Sequence, residues 1–310
     1  MDNPVLRQVL LGCYDPSSPL RHLRDQRGIL ELIFARLMEA WEAHLVDTSR
    51  GYLRLGGRRG THIPGQVPQS IQFPPLWQHH DDSTTSFHVN MMPFVMGDIS
   101  TLPLSCQRYH DLIMQCLATN SSDERGEVGY LTIHEGVVEA GTSQRRGGLH
   151  IEAGGGGGES ERCTDDFHWG MGRIEHTLLY GGIYMASTVE HSCAMYDVVI
   201  QDSSSVVGAL GDVEHLRSSL AKKAISPLHL EANELVWMTD RTPHESLPLP
   251  VTTFRQYFRL VTSGVSHWYA DHSTPNPLGI QPTAKIVFGN KFHLALDEDV
   301  SKAPQKVLSM

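Results

Sequence analysis

The chain has 310 residues, 40% of them hydrophobic and 19% charged, a composition that builds a packed core and excludes wholesale disorder. Length alone allows one or two domains. The formal net charge is −10, and basic residues cluster only briefly, as in Arg58-Arg59 and Arg145-Arg146. That balance argues against a nucleic-acid partner, which would need a basic face, while leaving room for a small anionic ligand.

The five cysteines contain no C-x-x-C, so neither a disulfide framework nor a thiolate zinc site is expected. The opening segment MDNPVLRQVLLGCYDP lacks the charge and apolar run of a secretory signal. No stretch approaches the ~18 uncharged apolar residues of a membrane span. These features together predict a cytoplasmic protein with reduced thiols and no membrane partner. The 18 histidines exceed what such a chain needs for structure and prompt a search for a metal site.

In chain order, Gly28 to Leu45 comes first and predicts an amphipathic helix. Leu30, Ile33, Leu37, Met38, Trp41 and Leu45 recur at spacings of three and four on one face. Residues 56–77 are rich in Gly and Pro and read as ordered loop. A second helix is predicted over Ser105–Ala118. From Val128 the pattern changes to short runs rich in Val, Ile, Thr, Tyr and Phe: VGYLTIH, GVVEA, LLYGGIYMAST, CAMYDVVI, ELVWMTD and FRQYFRLVT. These read as strands. Two interruptions are expected: a flexible loop at the glycine run 154–158, which lacks the G-K-[ST] ending of a phosphate cradle, and a helix near Asp212–Lys222. The fold class is therefore mainly β with flanking helices, as antiparallel sheets in a sandwich or jelly roll. One folded unit is expected, with an N-terminal helical and loop region (1–127), a β core (128–262) and a C-terminal extension (263–310) that wraps the core and ends in a late strand, KIVFG.

Three features could carry chemistry. In His150-Ile151-Glu152, positions i and i+2 of an extended segment point to one side, so an imidazole and a carboxylate converge. A second such match, His229-Leu230-Glu231, shows how unspecific the pattern is alone. His244 follows a strand ending in Asp240 and a turn with Pro243, so it is either a ligand or a turn histidine capping backbone groups. Arg255 lies inside the next hydrophobic strand, where a guanidinium needs an anion, and its planar fork suits a carboxylate. Arg259 shares its face by period-two counting and is the alternative, unless both arginines face outward or pair with acids such as Asp240. His168, His176, His191 and His215 compete as ligands, His168 most directly.

This combination resembles the Fe(II)/2-oxoglutarate-dependent oxygenases. The resemblance covers about residues 128–262, with the stretch ANELVWMTDRTPHES similar to the strand and turn that deliver the second histidine there. It implies a double-stranded β-helix core, with His150, Glu152 and His244 as iron ligands and catalytic residues, and Arg255 binding 2-oxoglutarate. Glutamate stands where aspartate is more common, and the spacer from residue 153 to residue 243 is long. The first 120 residues match no subfamily of the group. The implied reaction uses Fe(II), 2-oxoglutarate and O2, releases succinate and CO2, and hydroxylates, desaturates or cyclises a small-molecule substrate. A carboxylate ligand is absent in halogenating relatives, so Glu152 favours hydroxylation. For the substrate pocket, Gln144, Arg145 and Arg146 are candidates at its mouth, with a solvated basic turn the alternative for the two arginines; Trp169, Tyr184 and Trp237 are candidates for its walls, with plain core packing the alternative; and Arg241 stands beside Asp240. Two other readings remain open: a cupin-like metalloenzyme without 2-oxoglutarate, against which the missing H-x-H-x3–4-E counts, and a β-sandwich binding module with no catalytic metal.

Overall fold

The chain forms short strands joined by turns and loops: β1 (Val46–Asp47), β2 (Tyr52–Arg54), β3 (Phe87–Val95), β4 (Val128–Val138), β5 (Arg173–Glu175), β6 (Leu178–Tyr180), β7 (Ile183–Ser187), β8 (Cys193–Met195), β9 (Val199–Ile200), β10 (Leu228–His229), β11 (Val236–Met238), β12 (His244–Ser246), β13 (Thr253–Val261), β14 (His267–Tyr269) and β15 (Lys285–Val287). The helices among the described residues include α1 (Arg27–Leu45), α2 (Leu104–Gln107), α3 (His110–Thr119) and α4 (Arg217–Lys222). The computed structural model describes residues 9, 11–15, 17–23, 26–47, 51–54, 71–76, 86–153, 167–176, 178–201 and 207–288. Arg58-Arg59, most of the Gly- and Pro-rich stretch 56–77, the glycine run 154–158 and Cys163 lie outside the described residues.

Two antiparallel sheets carry the architecture. The larger runs β2-β11-β7-β13-β4-β3 and the smaller β10-β8-β12. At the centre of the larger, β13 pairs with β4 over nine residues, Thr253↔Val138 to Val261↔Tyr130. Alternation along β13 sends Phe258 and Leu260 to one face of the sheet, where they pack with Tyr184, Trp237 and the α3 residues Leu112, Ile113 and Cys116. Tyr257 and Val261 take the other face and pack, with Met185 and Met238, against Cys193 and Met195 of β8. That second face is where the two sheets meet, and Arg255 and Arg259 share it with Tyr257.

The larger sheet recruits strands from before residue 128, so the expected core boundary at 128 does not bound the sheet. β2 and β3 are its two edge strands. β3 was not among the predicted strands. Its register shifts between Val89 and Met92, and Met91 has φ 48°. Two residues there oppose one on β4, a bulge that turns Asn90 toward the cleft described below. β4 fuses the predicted runs VGYLTIH and GVVEA into one strand. LLYGGIYMAST instead splits into β6 and β7 at Gly181 (φ 56°) and Gly182 (φ 97°). A Cβ on Gly182 would lie 2.2 Å from Trp237 Nε1, so only glycine lets the strand pass the indole.

The helix expected over Ser105–Ala118 is broken at Arg108–Tyr109 into α2 and α3. The break brings both side chains onto buried Glu135 of β4. Tyr109 donates its hydroxyl to Oε1 at 2.5 Å, and Arg108 pairs with the same oxygen at 2.7 Å. The helix expected near Asp212–Lys222 is a 3-10 turn, Glu214–Leu216, running into the shorter α4. In the C-terminal extension, β15 pairs with β14 in parallel. Trp268 Nε1 donates to Met91 O at 2.7 Å, and Asn276 Nδ2 donates to Pro93 O at 2.8 Å, tying the extension to β3. Cys13, Cys106, Cys116 and Cys193 are buried free thiols, and no described helix is long and apolar enough to cross a membrane.

Candidate metal centre

In the segment Leu149–Ala153 the side chains alternate between two environments. Leu149, Ile151 and Ala153 enter a core cluster with Val198, Val213 and Leu216. His150 and Glu152 therefore point the other way, into a cleft between the sheets. The backbone of His150 pairs directly with that of His244, His150 N donating to His244 O (3.0 Å) and His244 N to His150 O (2.9 Å). Residues that exchange both bonds lie side by side with side chains on one face. The rings are accordingly close, with centroids 4.4 Å apart. Glu152 N and Ala153 N both donate to Asp240 O, fixing the third member of the group.

Ligand atoms of His150, Glu152 and His244 all lie within 4.8 Å of one another, and all three residues are buried. Each imidazole is held by its Nδ1, which donates to a carbonyl: Gly148 O at 2.7 Å for His150 and Thr242 O at 3.0 Å for His244. That arrangement fixes the tautomer and leaves each Nε2 lone pair for a metal. Burial holds both histidines below the usual imidazole range, His150 strongly so and with His244 adding to the effect, which keeps them neutral and ready to ligate. Two imidazoles and a carboxylate on one side form the facial set suited to a ferrous ion with open positions. Glu152 Oε1 also accepts from Arg259 Nη1 at 2.6 Å. The same oxygen lies 3.9 Å from His244 Nε2.

Arg255, Tyr257 and Arg259 line the cleft from the larger sheet. Arg255 is 1% exposed. Its Nε donates to Ser187 Oγ at 2.9 Å and its guanidinium lies 5.1 Å from the Tyr257 ring centre. Its Nη1 is buried without a hydrogen-bond partner, and no carboxylate pairs with it among the described residues. Burial lowers its pKa, as expected for a cation lacking a counter-charge. Period-two counting placed both arginines on one face, and they differ in partner: Arg259 is neutralised by Glu152, Arg255 is not.

Of the other sequence candidates, Arg145, Arg146 and Trp169 line the cleft. Arg146 Nη1 donates to Leu210 O, and Trp169 N donates to Asp240 Oδ2 at 3.0 Å. Asp240 itself is pushed up to about 6, mainly by burial. Tyr184 and Trp237 are not cleft walls. They are direct cross-strand partners on the opposite face, where Tyr184 OH accepts from Asn120 Nδ2 and Trp237 Nε1 donates to Gly181 O. Arg241 does not line the cleft either, its Nη1 donating to Gln201 O. Gln144 is half-buried outside the lining, with Oε1 lacking a hydrogen-bond partner. The competing histidines 176, 191, 215 and 229 are exposed, and neither they nor His168 join the ligand group.

Sequence reasoning missed Asn90, Met185, Cys193, Ser246, Tyr257 and His272 in the lining, and His134 behind it. Tyr257 was legible, since it stands between Arg255 and Arg259 at the same period. The bulge that delivers Asn90 left no such signal.

No protein-family model and no curated protein sequence matches the chain. Among solved structures, HygX from Streptomyces hygroscopicus, crystallised with nickel and 2-oxoglutarate bound, is 10% identical at a TM-score of 0.36, covering 76% of this chain and 92% of its own. The iron-bound form of HygX gives 10% identity and a TM-score of 0.35 over 69% of this chain and 84% of that one. AviO1 from Streptomyces viridochromogenes Tue57 gives 12% identity and a TM-score of 0.30 over 77% of this chain and 98% of its own. At such TM-scores these likenesses carry no argument, and function is read from the site.

Proposed function

We propose that the chain is an Fe(II)/2-oxoglutarate-dependent oxygenase, its two facing sheets forming a double-stranded β-helix, that oxidises a small molecule. The observation that carries this reading is the buried guanidinium of Arg255, its Nη1 without a hydrogen-bond partner and with no carboxylate paired to it among the described residues, opening into the same cleft as the His150, Glu152 and His244 group. A metal-ligand set alone suits many activities. A buried cation awaiting an anion beside it points to an acidic cosubstrate. The cleft opens to solvent and brings Arg255 and the His150, Glu152 and His244 group to one lining.

In this reading His150, Glu152 and His244 hold Fe(II), and Arg255 binds the distal carboxylate of 2-oxoglutarate. Bound there, the metal, cosubstrate and O2 supply oxidative decarboxylation coupled to attack on a substrate C–H bond, with succinate and CO2 released. The protein's part is positioning. Gly148 O and Thr242 O orient the imidazoles, Arg259 orients Glu152, and Trp169, Met185 and Tyr257 wall the cleft against bulk water. With a carboxylate in the ligand set, hydroxylation, desaturation or ring closure is favoured over halogenation.

Anaerobic titration with Fe(II) and then 2-oxoglutarate tests the proposal. The expected result is a weak visible absorption band on 2-oxoglutarate addition, lost in His150→Ala and His244→Ala, and succinate formation once O2 is admitted. Iron binding without any response to 2-oxoglutarate would favour the cupin-like reading, and absence of iron binding would leave a binding module.

A further inference from the structure

The cleft carries more positive charge than iron and 2-oxoglutarate consume. Arg145, Arg146, Arg255 and Arg259 line it against the single carboxylate of Glu152. A ferrous ion adds two charges and 2-oxoglutarate removes two, so three positive charges remain. Arg146 turns toward the carbonyl of Leu210, and Arg259 belongs to Glu152. Arg145 is the cation left over.

Its placement is built rather than incidental. Nη1 of Arg145 contacts His134 Nε2 at 2.8 Å and Asn90 Oδ1 at 3.4 Å, and the guanidinium stands 5.6 Å from the centre of the Tyr257 ring. His134 must accept here, so its proton sits on Nδ1, which faces His88 Nδ1 at 3.1 Å. Every group in direct contact with the guanidinium is neutral; Glu152 acts on it across the cleft, and none of the described acids forms an ion pair with it. Three uncharged groups from β3, β4 and β13 thus aim a cation into a cleft without neutralising it. A solvated basic turn would need none of them.

Resting on the oxygenase reading above, we propose that Arg145 binds an anionic group of the substrate, a carboxylate or a phosphate, making this an enzyme for acidic small molecules. His134 is the positioning residue that holds the guanidinium. A planar fork is the group of choice for either anion, and a charge-assisted pair there is worth tenfold or more in affinity.

The test uses the full chain loaded with Mn(II) and saturated with 2-oxoglutarate, titrated calorimetrically with inorganic phosphate and separately with acetate. The expected result is saturable binding of at least one anion, weakened at least tenfold in Arg145→Gln and less in Arg145→Lys, with 2-oxoglutarate affinity within about twofold of wild type in both. A preference for phosphate or acetate assigns the substrate group. Absence of saturable binding in the wild type, an unchanged Arg145→Gln, or a parallel loss of 2-oxoglutarate affinity in that variant would each overturn the inference while leaving the oxygenase reading standing. If the wild type takes up neither Mn(II) nor 2-oxoglutarate, the oxygenase reading fails instead. The anions are then titrated into the chain alone, where dependence on Arg145 but not on Arg255 sustains the site and any other pattern removes it.

Discussion

Replacing Arg255 by Met separates binding from stability, because the two should move in opposite directions. The guanidinium is almost wholly buried, with one hydrogen bond and no counter-charge among the described residues. Its loss removes the bond to Ser187 and a ring contact with Tyr257, each worth about 1 kcal/mol. Ser187 Oγ is not stranded, since it still donates to Val189 O and accepts from Val189 N and Ser192 Oγ. Against these losses stands removal of an uncompensated buried charge, which costs several kcal/mol even after relaxation. The net expectation is a gain of about 1–3 kcal/mol, or about 2 °C in Tm per kcal/mol for a chain of this size. Affinity for 2-oxoglutarate should fall, because two charge-assisted hydrogen bonds at about 1.5–2 kcal/mol each amount to about 10²–10³-fold. Thermal unfolding without cosubstrate, beside calorimetric titration of the Mn(II)-loaded protein with 2-oxoglutarate, reads both quantities. A variant that loses several kcal/mol of stability while binding 2-oxoglutarate normally would show Arg255 to be a structural cation and refute the reasoning.

Arg259→Met should behave differently, lowering Fe(II) affinity by about 10–100-fold through a misoriented Glu152 while shifting 2-oxoglutarate affinity far less than Arg255→Met does, as metal titration followed by cosubstrate titration would show. His134 is driven far below the usual imidazole range, first by burial and then by Arg145, His88, Arg259 and Arg255. Below pH 6.5 the unfolded chain gains a proton at this residue that the folded chain does not, so its share of stability is complete above pH 6.5 and is lost as pH falls, at up to about 1.4 kcal/mol per pH unit. Urea unfolding at pH 7.5, 6.5 and 5.5 should show a slope shallower by up to this amount in His134→Gln than in the wild type, whose own slope also carries His88, His150, His244 and Asp240; equal slopes would contradict it. Gly182→Ala forces a Cβ onto the Trp237 indole at φ 97° and should cost about 3 kcal/mol or more, read as a drop in the urea midpoint at unchanged slope.

The ligand group was legible because its geometry is local. Alternation alone turns His150 and Glu152 the same way while Leu149 and Ile151 go inward. Arg255 was legible because a guanidinium in an apolar strand has few stable fates. What could not be read was which face of a two-faced strand meets the cleft. Tyr184 and Met185 are neighbours of similar hydrophobicity, and only pairing with β11 and β13 sends Met185 inward and Tyr184 to the helical side. β3 escaped because Pro93 and Asn90 interrupt its pattern; both are tolerated since β3 is an edge strand with a bulge. At the break between α2 and α3, Arg108 and Tyr109 meet Glu135, a residue on another element that the local pattern does not show. The Arg259–Glu152 contact likewise joins residues whose spacing gives no hint of proximity.

The mutual backbone pairing of His150 and His244 means that the separation of the two imidazoles is a strand-pair spacing rather than an outcome of loop design. The turns that join the strands between Ala153 and Asp240 can lengthen or shorten while those two amides keep the imidazoles at their separation, because closure entropy rises only slowly with loop length. Insertion in those turns can thereby reshape the surroundings of the cleft while the His150–His244 pairing stays as it is.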